Sequence, residues 1–287
     1  MIFILGVVMI KYNYIIPKNY NNYNIRDFVS SFKISESKIN RIVNEKKYLV
    51  NDFWTDVLHT NDILTIDGDV FNEKQITPIE GALDILYEDE NVLVVNKPAN
   101  IIIHSDDEGA TLDKMVAGYL KHNGYLAIAR HIYRLDKDTQ GCMLYAKDPL
   151  SLSFLSYECE NKSMNKTYTA IVEGKIESDG CIDQPIGKHR HENNKMIISK
   201  TGKKAITNYQ VLGNNHLKTL VDLFLETGRT HQIRVHMSSI GHPIVGDKIY
   251  GCTKKGDEMK LQCSSVSFTH PITKKCLTIK VRHKFTL

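Results

Sequence analysis

The sequence contains no Cys-x-x-Cys pair and no cysteine or histidine spacing suited to a metal ligand set. Its six cysteines, Cys142, Cys159, Cys181, Cys252, Cys263 and Cys276, lie far apart. That argues against a zinc ribbon or a redox dithiol and fits reduced thiols in the cytoplasm, where we expect the protein to be located. Strong bulk charge is missing too. A formal net charge of +4 over 287 residues means that any affinity for nucleic acid must come from local clustering. No apolar run is long enough to cross a bilayer, which takes about 20 residues. The apolar opening, Met1 to Ile10, has no basic segment and no small-residue cleavage site, so we expect no secretion signal and no membrane span. We read Met1 to Val8 as an upstream extension of the reading frame, with Met9 as the alternative start.

What is present is enough apolar residue, 42%, for one large core and a small satellite domain. The most informative run is Tyr133-Arg134-Leu135-Asp136-Lys137-Asp138-Thr139-Gln140-Gly141, between the basic Ala129-Arg130-His131 and the apolar Cys142-Met143-Leu144-Tyr145-Ala146. A carboxylate between an arginine and a lysine, in a turn closed by Thr-x-Gly, suits a functional anion better than core packing. The plainer reading is that Asp136 or Asp138 caps a turn. A second dense stretch, Lys188 to Lys204, sets six cations (Lys188, Arg190, Lys195, Lys200, Lys203 and Lys204) against the single Glu192. A basic hairpin turning at Thr201-Gly202 would track phosphates without reading sequence, and a solvated surface loop is the alternative. Three histidines in the twelve residues from His231 to His242 invite a metal reading. Their intervals of five and six put neither neighbouring pair on one helical face, so we expect no metal site.

In chain order, Tyr12 to Pro17 reads as a strand, Arg26 to Val29 opens a short helix, and Ser35 caps a second helix through Ile39, Ile42 and Val43. Lys38, Arg41, Lys46 and Lys47 crowd the exposed side and end of that helix. Tyr48 to Val50 and Ile63 to Ile66 read as small strands about the turn Asn51-Asp52. Phe71 to Gly81 has no periodicity. Leu83 to Lys97 then forms a hairpin about an acidic turn, ending at Lys97-Pro98. Helices follow at 111–121 and 147–160, an alternating strand at 166–174, and closing strands at 268–271 and 277–281.

Arg-Leu-Asp-x-x-Thr-x-Gly resembles the catalytic motif of the RluA family of RNA pseudouridine synthases, whose essential aspartate corresponds to Asp136. Three further stretches resemble the family in order and spacing. They are Asn96-Lys97-Pro98 with Asn100 in place of glycine, Lys166-x-Tyr168-x-Ala170-x-Val172-x-Gly174, and Thr227-Gly228-Arg229 through His231-Gln232-Ile233-Arg234 to Gly241-His242-Pro243-Ile244-x-Gly246-Asp247. Residues 25–67 are similar to an S4 RNA-binding domain, with Asp52 where glycine is usual; a helical cap with a solvated basic face is the alternative. Tyr133 stands in place of the family's histidine and Gln140 in place of its serine.

The resemblance implies an α+β fold: a mixed, mostly antiparallel central sheet with flanking helices, preceded by a small α/β S4-like unit. The division expected is 1–24 extension and strand, 25–70 S4-like domain, 71–80 linker and 81–287 catalytic domain. It implies isomerisation of uridines in structured RNA without a cofactor, by a monomer. Large-subunit ribosomal RNA is the family's commonest target and transfer RNA the next; a non-catalytic RNA-binding relative is the competing class. Asp136 would be the carboxylate, Arg234 its partner, and Tyr168, otherwise an ordinary sheet-face aromatic, the residue that stacks on the flipped base. Arg134 would fill the gap in the base stack and Ile233 would line the apolar wall. Arg229, Lys188, Arg190, Lys203, Lys204, Lys38 and Arg41 would hold RNA.

Overall fold

The computed structural model describes residues 10–105, 109–251, 258–283 and 285–287. The expected extension Met1–Val8 and Cys252 lie outside the described residues. The N-terminal unit comprises β1 (Lys11–Ile15), β2 (Tyr23–Asn24), α1 (Ile25–Ser30), α2 (Glu36–Asn44), β3 (Tyr48–Val50), β4 (Val57–Leu58) and β5 (Ile63–Asp67). β5 pairs antiparallel with β1 on one side and β3 on the other, so the strand expected within an N-terminal extension is part of this unit's sheet. Alternation along β1 buries Tyr12 and Tyr14 and exposes Lys11, Asn13 and Ile15. The Asn24 side chain accepts from the Arg26 N–H at 2.9 Å and Ser35 from the Lys38 N–H at 3.4 Å, which starts the two helices. Asp52 adopts φ 68° and Asn100 adopts φ 66°, so both replacements for glycine keep the left-handed turn.

The C-terminal unit contains β6 (Ile85–Glu88), β7 (Val92–Lys97), α3 (Leu112–His122), β8 (Arg130–His131), β9 (Gln140–Ala146), α4 (Pro149–Glu160) and β10 (Asn165–Glu173). It continues through β11 (Gly180–Asp183), β12 (Ile186–Lys188), β13 (Met196–Ile198), β14 (Ile206–Asn214), β15 (Lys218–Leu225), α5 (Gln232–Ser239), β16 (Leu261–Thr269) and β17 (Cys276–Lys280). The large sheet runs β11-β14-β15-β10-β16-β9-β7-β6, with β17 on β16 and β8 on β9. Its described pairings are antiparallel except β16 with β9, which is parallel at Gln262↔Gln140 and Cys263↔Gly141. Thr111 and Asp148 cap α3 and α4 as the local sequence requires.

The two units share one apolar core, in which Phe32 meets Phe154 with ring centroids 6.4 Å apart. Tyr14 donates to the Asp148 carboxylate at 3.1 Å, and the buried Arg130 guanidinium binds Glu73 and the Tyr12 hydroxyl. Segment 71–80 is held to the C-terminal unit, since the Ile76 and Ile79 N–H groups donate to the Ala127 and Lys114 carbonyls. The basic hairpin departs from expectation. Its tip lies between β12 and β13, where the His189 N–H donates to the Lys195 carbonyl and Asn194 supplies φ 71°. Thr201-Gly202 instead forms a second turn that brings Lys203 back against Ile186.

Gly141 closes the aspartate turn at the one parallel crossing described. Its φ is 110°, and a Cβ there would lie 2.2 Å from the Cys263 carbonyl oxygen. The Thr-x-Gly signature is thus a packing requirement of β9 against β16. Gly141→Ala is expected to cost about 3 kcal/mol or more in urea unfolding, through strained φ and backbone contact together.

Candidate active site

Asp136 sits in the loop between β8 and β9. Tyr133 and Leu135 are buried and pin that loop, Tyr133 by donating its hydroxyl proton to the Cys142 carbonyl at 2.8 Å. The Thr139 N–H closes the turn on the Asp136 carbonyl at 3.1 Å, and the Asp136 side chain is left 27% exposed. Beneath the loop lies Lys97, fully buried at the end of β7. Its ammonium donates to the carbonyls of Thr139 (2.7 Å), Lys137 (2.8 Å) and Pro98 (3.0 Å). Burial pushes Lys97 down to about 8, against the opposing pull of Asp138 and Asp136.

The second wall is the first turn of α5. His231 holds the N-cap position in the left-handed conformation, φ 56°. Gln232, almost wholly buried, uses its whole amide. Its oxygen accepts from the Thr227 hydroxyl and the Arg229 N–H, and its nitrogen donates to the Ile206 carbonyl and the Thr207 hydroxyl. The loop before α5 is thereby fixed to β14, which aims Arg234 inward. The Arg234 Nε and Nη2 donate to the two oxygens of Asp247 at 2.7 and 2.8 Å, and Nη1 donates to Asp136 Oδ2 at 3.2 Å. Asp247 is fully buried and also accepts from the Ile249 and Tyr250 N–H groups. Burial alone would raise the Asp247 carboxyl, but Arg234 and those two N–H groups outweigh it and hold it below its ordinary value. Burial likewise works against Arg234, and the hydrogen bonds and charge of Asp247, aided by Asp136, keep it above its ordinary range.

Tyr168 forms the third wall, in β10 between Leu223 of β15 and Cys263 of β16, at a bulge following Thr167. Burial, then Cys263 and Asp136, push its phenol well up, so it stays protonated. The three walls enclose a cleft of about 1050 Å³. Asp136, Tyr168, Arg234, Arg134, Ile233 and Arg229 all line it. Arg134 is exposed at its edge, whereas Ile233 is buried.

Lys188, Arg190, Lys203 and Lys204 are exposed on the hairpin, outside the cleft lining; Lys188 and Arg190 border a separate hollow of about 340 Å³. The Arg229 Nε donates to the Lys204 carbonyl at 2.9 Å and joins hairpin to cleft. Lys38 and Arg41 belong to the N-terminal unit. Lys38 lies over the Phe71 ring at 5.6 Å, and Arg41 donates to the Val70 carbonyl and pairs with Asp69 at 3.7 Å. The clustered histidines disperse: His236 bonds Thr207 and the Gln184 carbonyl, and His242 bonds the Glu173 carbonyl. His231 alone faces Asp136, its Nε2 lying 3.7 Å from Oδ2. Burial is the main cause of its lowered pKa. Residue-by-residue reading missed Lys97, Asp247 and His231, although each lies in a quoted motif; a lysine ending a continuous apolar strand was the available signal.

Fold and site together bring a carboxylate–arginine pair and a tyrosine ring into one cleft. Residues 91–239 match the family described as RNA pseudouridylate synthase. The Bacillus subtilis protein named "Uncharacterized RNA pseudouridine synthase YhcT" is 40% identical over 223 residues, 76% of this chain and 74% of that protein. Ribosomal large subunit pseudouridine synthase D of Escherichia coli O6:H1 is 31% identical over 261 residues, 83% of this chain and 80% of that protein. The solved structure of human RNA Pseudouridylate Synthase Domain Containing 1 superposes with a TM-score of 0.62 at 27% identity, covering 71% of this chain and 85% of that one. The chain belongs to the RNA pseudouridylate synthase family, of the RluA type, and is an RNA pseudouridine synthase. Among the described residues no helix is long and apolar enough to cross a membrane.

Lys97 yields a test of the frame. Its folded pKa of about 8 lies below the roughly 10.4 of an unfolded lysine, so between those values the unfolded chain binds more protons. Its contribution to stability is therefore full above about 10.4 and is lost as pH falls through about 8. Lys97→Met leaves three carbonyls without their donor and is expected to cost about 2–4 kcal/mol. Urea unfolding at pH 7.5 and pH 9.5 should show the wild type gaining on the variant at the higher pH.

Proposed function

We propose that this chain isomerises specific uridines of structured RNA to pseudouridine, in large-subunit ribosomal RNA, with Asp136 as the essential carboxylate. The observation that carries this is the hydrogen bond from buried Arg234 to Asp136 within the cleft that Tyr168 also lines. The reaction breaks the N1–C1′ bond, turns the uracil and joins C5 to C1′; C5 loses a proton and N1 carries one, so the product has the substrate's atoms. Asp136 acts either as nucleophile at C1′ or as base toward the C2′ proton. Arg234 fixes and balances its charge, Tyr168 stacks on the extruded base, and Ile233 supplies apolar wall. Extrusion costs about a few kcal/mol, and the exposed Arg134 guanidinium offsets this by occupying the vacated stack.

Lys188, Arg190, Lys203 and Lys204 follow the RNA backbone, with Arg229 bracing the hairpin. The N-terminal unit, residues 25–70, serves as an S4-like RNA-binding domain through Lys38 and Arg41, and the protein works as a cytoplasmic monomer. Support for the ribosomal target is the resemblance to relatives named ribosomal large subunit pseudouridine synthase D.

Asp136→Asn should abolish turnover while RNA binding and urea unfolding stay near wild type, and Asp138→Asn should remain active. Arg234→Ala is expected to lower kcat/KM by at least about 10²-fold, in line with the cost of breaking a buried pair, and Arg234→Lys to restore only part. Pseudouridine mapping by mass spectrometry of RNA from a deletion strain complemented with each variant checks all four. Wild-type levels in the Asp136→Asn strain would overturn the assignment.

A further inference from the structure

A chain of hydrogen-bonding groups runs from the basic hairpin towards the Asp136 carboxylate, with its last gap still open. Met196, the first residue of β13, donates its backbone N–H to the Tyr250 hydroxyl at 2.8 Å. That hydroxyl lies 2.8 Å from His231 Nδ1, and His231 Nε2 lies 3.7 Å from Asp136 Oδ2. A phenol has one proton. With its oxygen accepting from Met196, the proton is free for Nδ1, and a neutral His231 then carries its own proton on Nε2, facing the carboxylate.

The packing makes the chain mechanical as well as chemical. Ile186, Ala205 and Val235 form a small core apart from the main one, with Met196, Ile198 and Tyr250 packed on it. The hairpin therefore rests on α5 and Tyr250, with Lys188, Arg190 and Lys203 exposed. The Tyr250 ring is gripped between the His231 ring, edge-on at 5.6 Å, and the Arg234 guanidinium at 5.2 Å. Any shift of β13 on its bed moves the acceptor of the Met196 N–H, and with it the imidazole. Besides Asp136 and Arg234, the charges facing His231 are Asp247 and Asp138.

We propose that Tyr250 and His231 are positioning residues which couple RNA engagement by the basic hairpin to the placement of Asp136. Seating phosphates on the hairpin presses β13 onto Tyr250 and brings the His231 Nε2–H from 3.7 Å into hydrogen-bonding range of Oδ2. The inference rests on the reading of Asp136 as the reactive carboxylate.

The tautomer is read directly by nitrogen-15 NMR of the histidine-labelled full chain, with the His231 signal assigned from His231→Asn. Asparagine tolerates the left-handed backbone there, so that variant keeps the helix start. Wild type should show protonated Nε2 and bare Nδ1, and Tyr250→Phe a mixture of tautomers. Poly(A), which offers phosphates but no uridine, should shift the Nε2–H resonance downfield in wild type and leave it unmoved in Tyr250→Phe. With a transcript of large-subunit ribosomal RNA, Tyr250→Phe should lower kcat about tenfold at unchanged KM, and should add nothing in the His231→Asn background. A wild-type Nδ1–H tautomer, an equal poly(A) shift in both proteins, or additive losses would each overturn the coupling. Absence of turnover by wild type would instead count against the assigned substrate, and the NMR result would still decide the coupling.

Discussion

One buried guanidinium between two carboxylates sets the geometry of the site. Isolated in the interior, Arg234 would cost several kcal/mol, and so would Asp247. Their bidentate pairing, with two backbone N–H groups completing Asp247, makes the burial tolerable and leaves the third face of the fork for Asp136. Planarity matters here, because a fork saturated on one edge by Asp247 can address Asp136 in one direction only. A lysine would meet either carboxylate but could not hold the angle between them.

Around that pair the frame is built from polar groups whose capacity is used up. Lys97 ties three carbonyls under the Asp136 loop, and Gln232 makes two bonds to the loop before α5 and two to β14 beneath it. Each is costly to leave half satisfied in a dry interior, so each fixes one conformation. A cleft assembled this way holds the Arg234 guanidinium at one position beside the Asp136 carboxylate, a fixed charge of the kind that electrostatic preorganisation uses.

Two departures from the family pattern find places that keep this frame. Tyr133 fills buried space behind the loop, with its hydroxyl on the Cys142 carbonyl and the Lys166 ammonium 4.4 Å from its ring. Gln140 opens β9, half-buried, and pairs with Gln262. Neither touches the Arg234 bridge.

Local signals in the sequence were enough for much of the fold. The cap at Ser35, the 3.6-residue spacing of α2 and the helical stretch of α3 all act within a few residues, and the structure follows them; β10 forms where expected, but from Tyr168 to Val172 it is buried on both faces rather than alternating. The hairpin tip was misplaced because Thr201-Gly202 and Asn193-Asn194 are both competent turns, and only the packing of Lys203 on Ile186 separates their roles. Motif resemblance pointed to Asp136, Tyr168 and Arg234, but the buried groups that hold their surroundings, Lys97 and Asp247, escaped it. A lysine read from sequence is a surface cation, and Lys97 becomes a buried clamp only because β7 carries it beneath residues 40 positions away. His231 acquires its place through the turn into α5, and Asp247 through the loop that follows the helix. Sequence alone determined which short segments curl or extend and which residues carry charge. Tertiary structure decided which charges leave water and meet, because desolvation and pairing depend on neighbours that chain order does not specify.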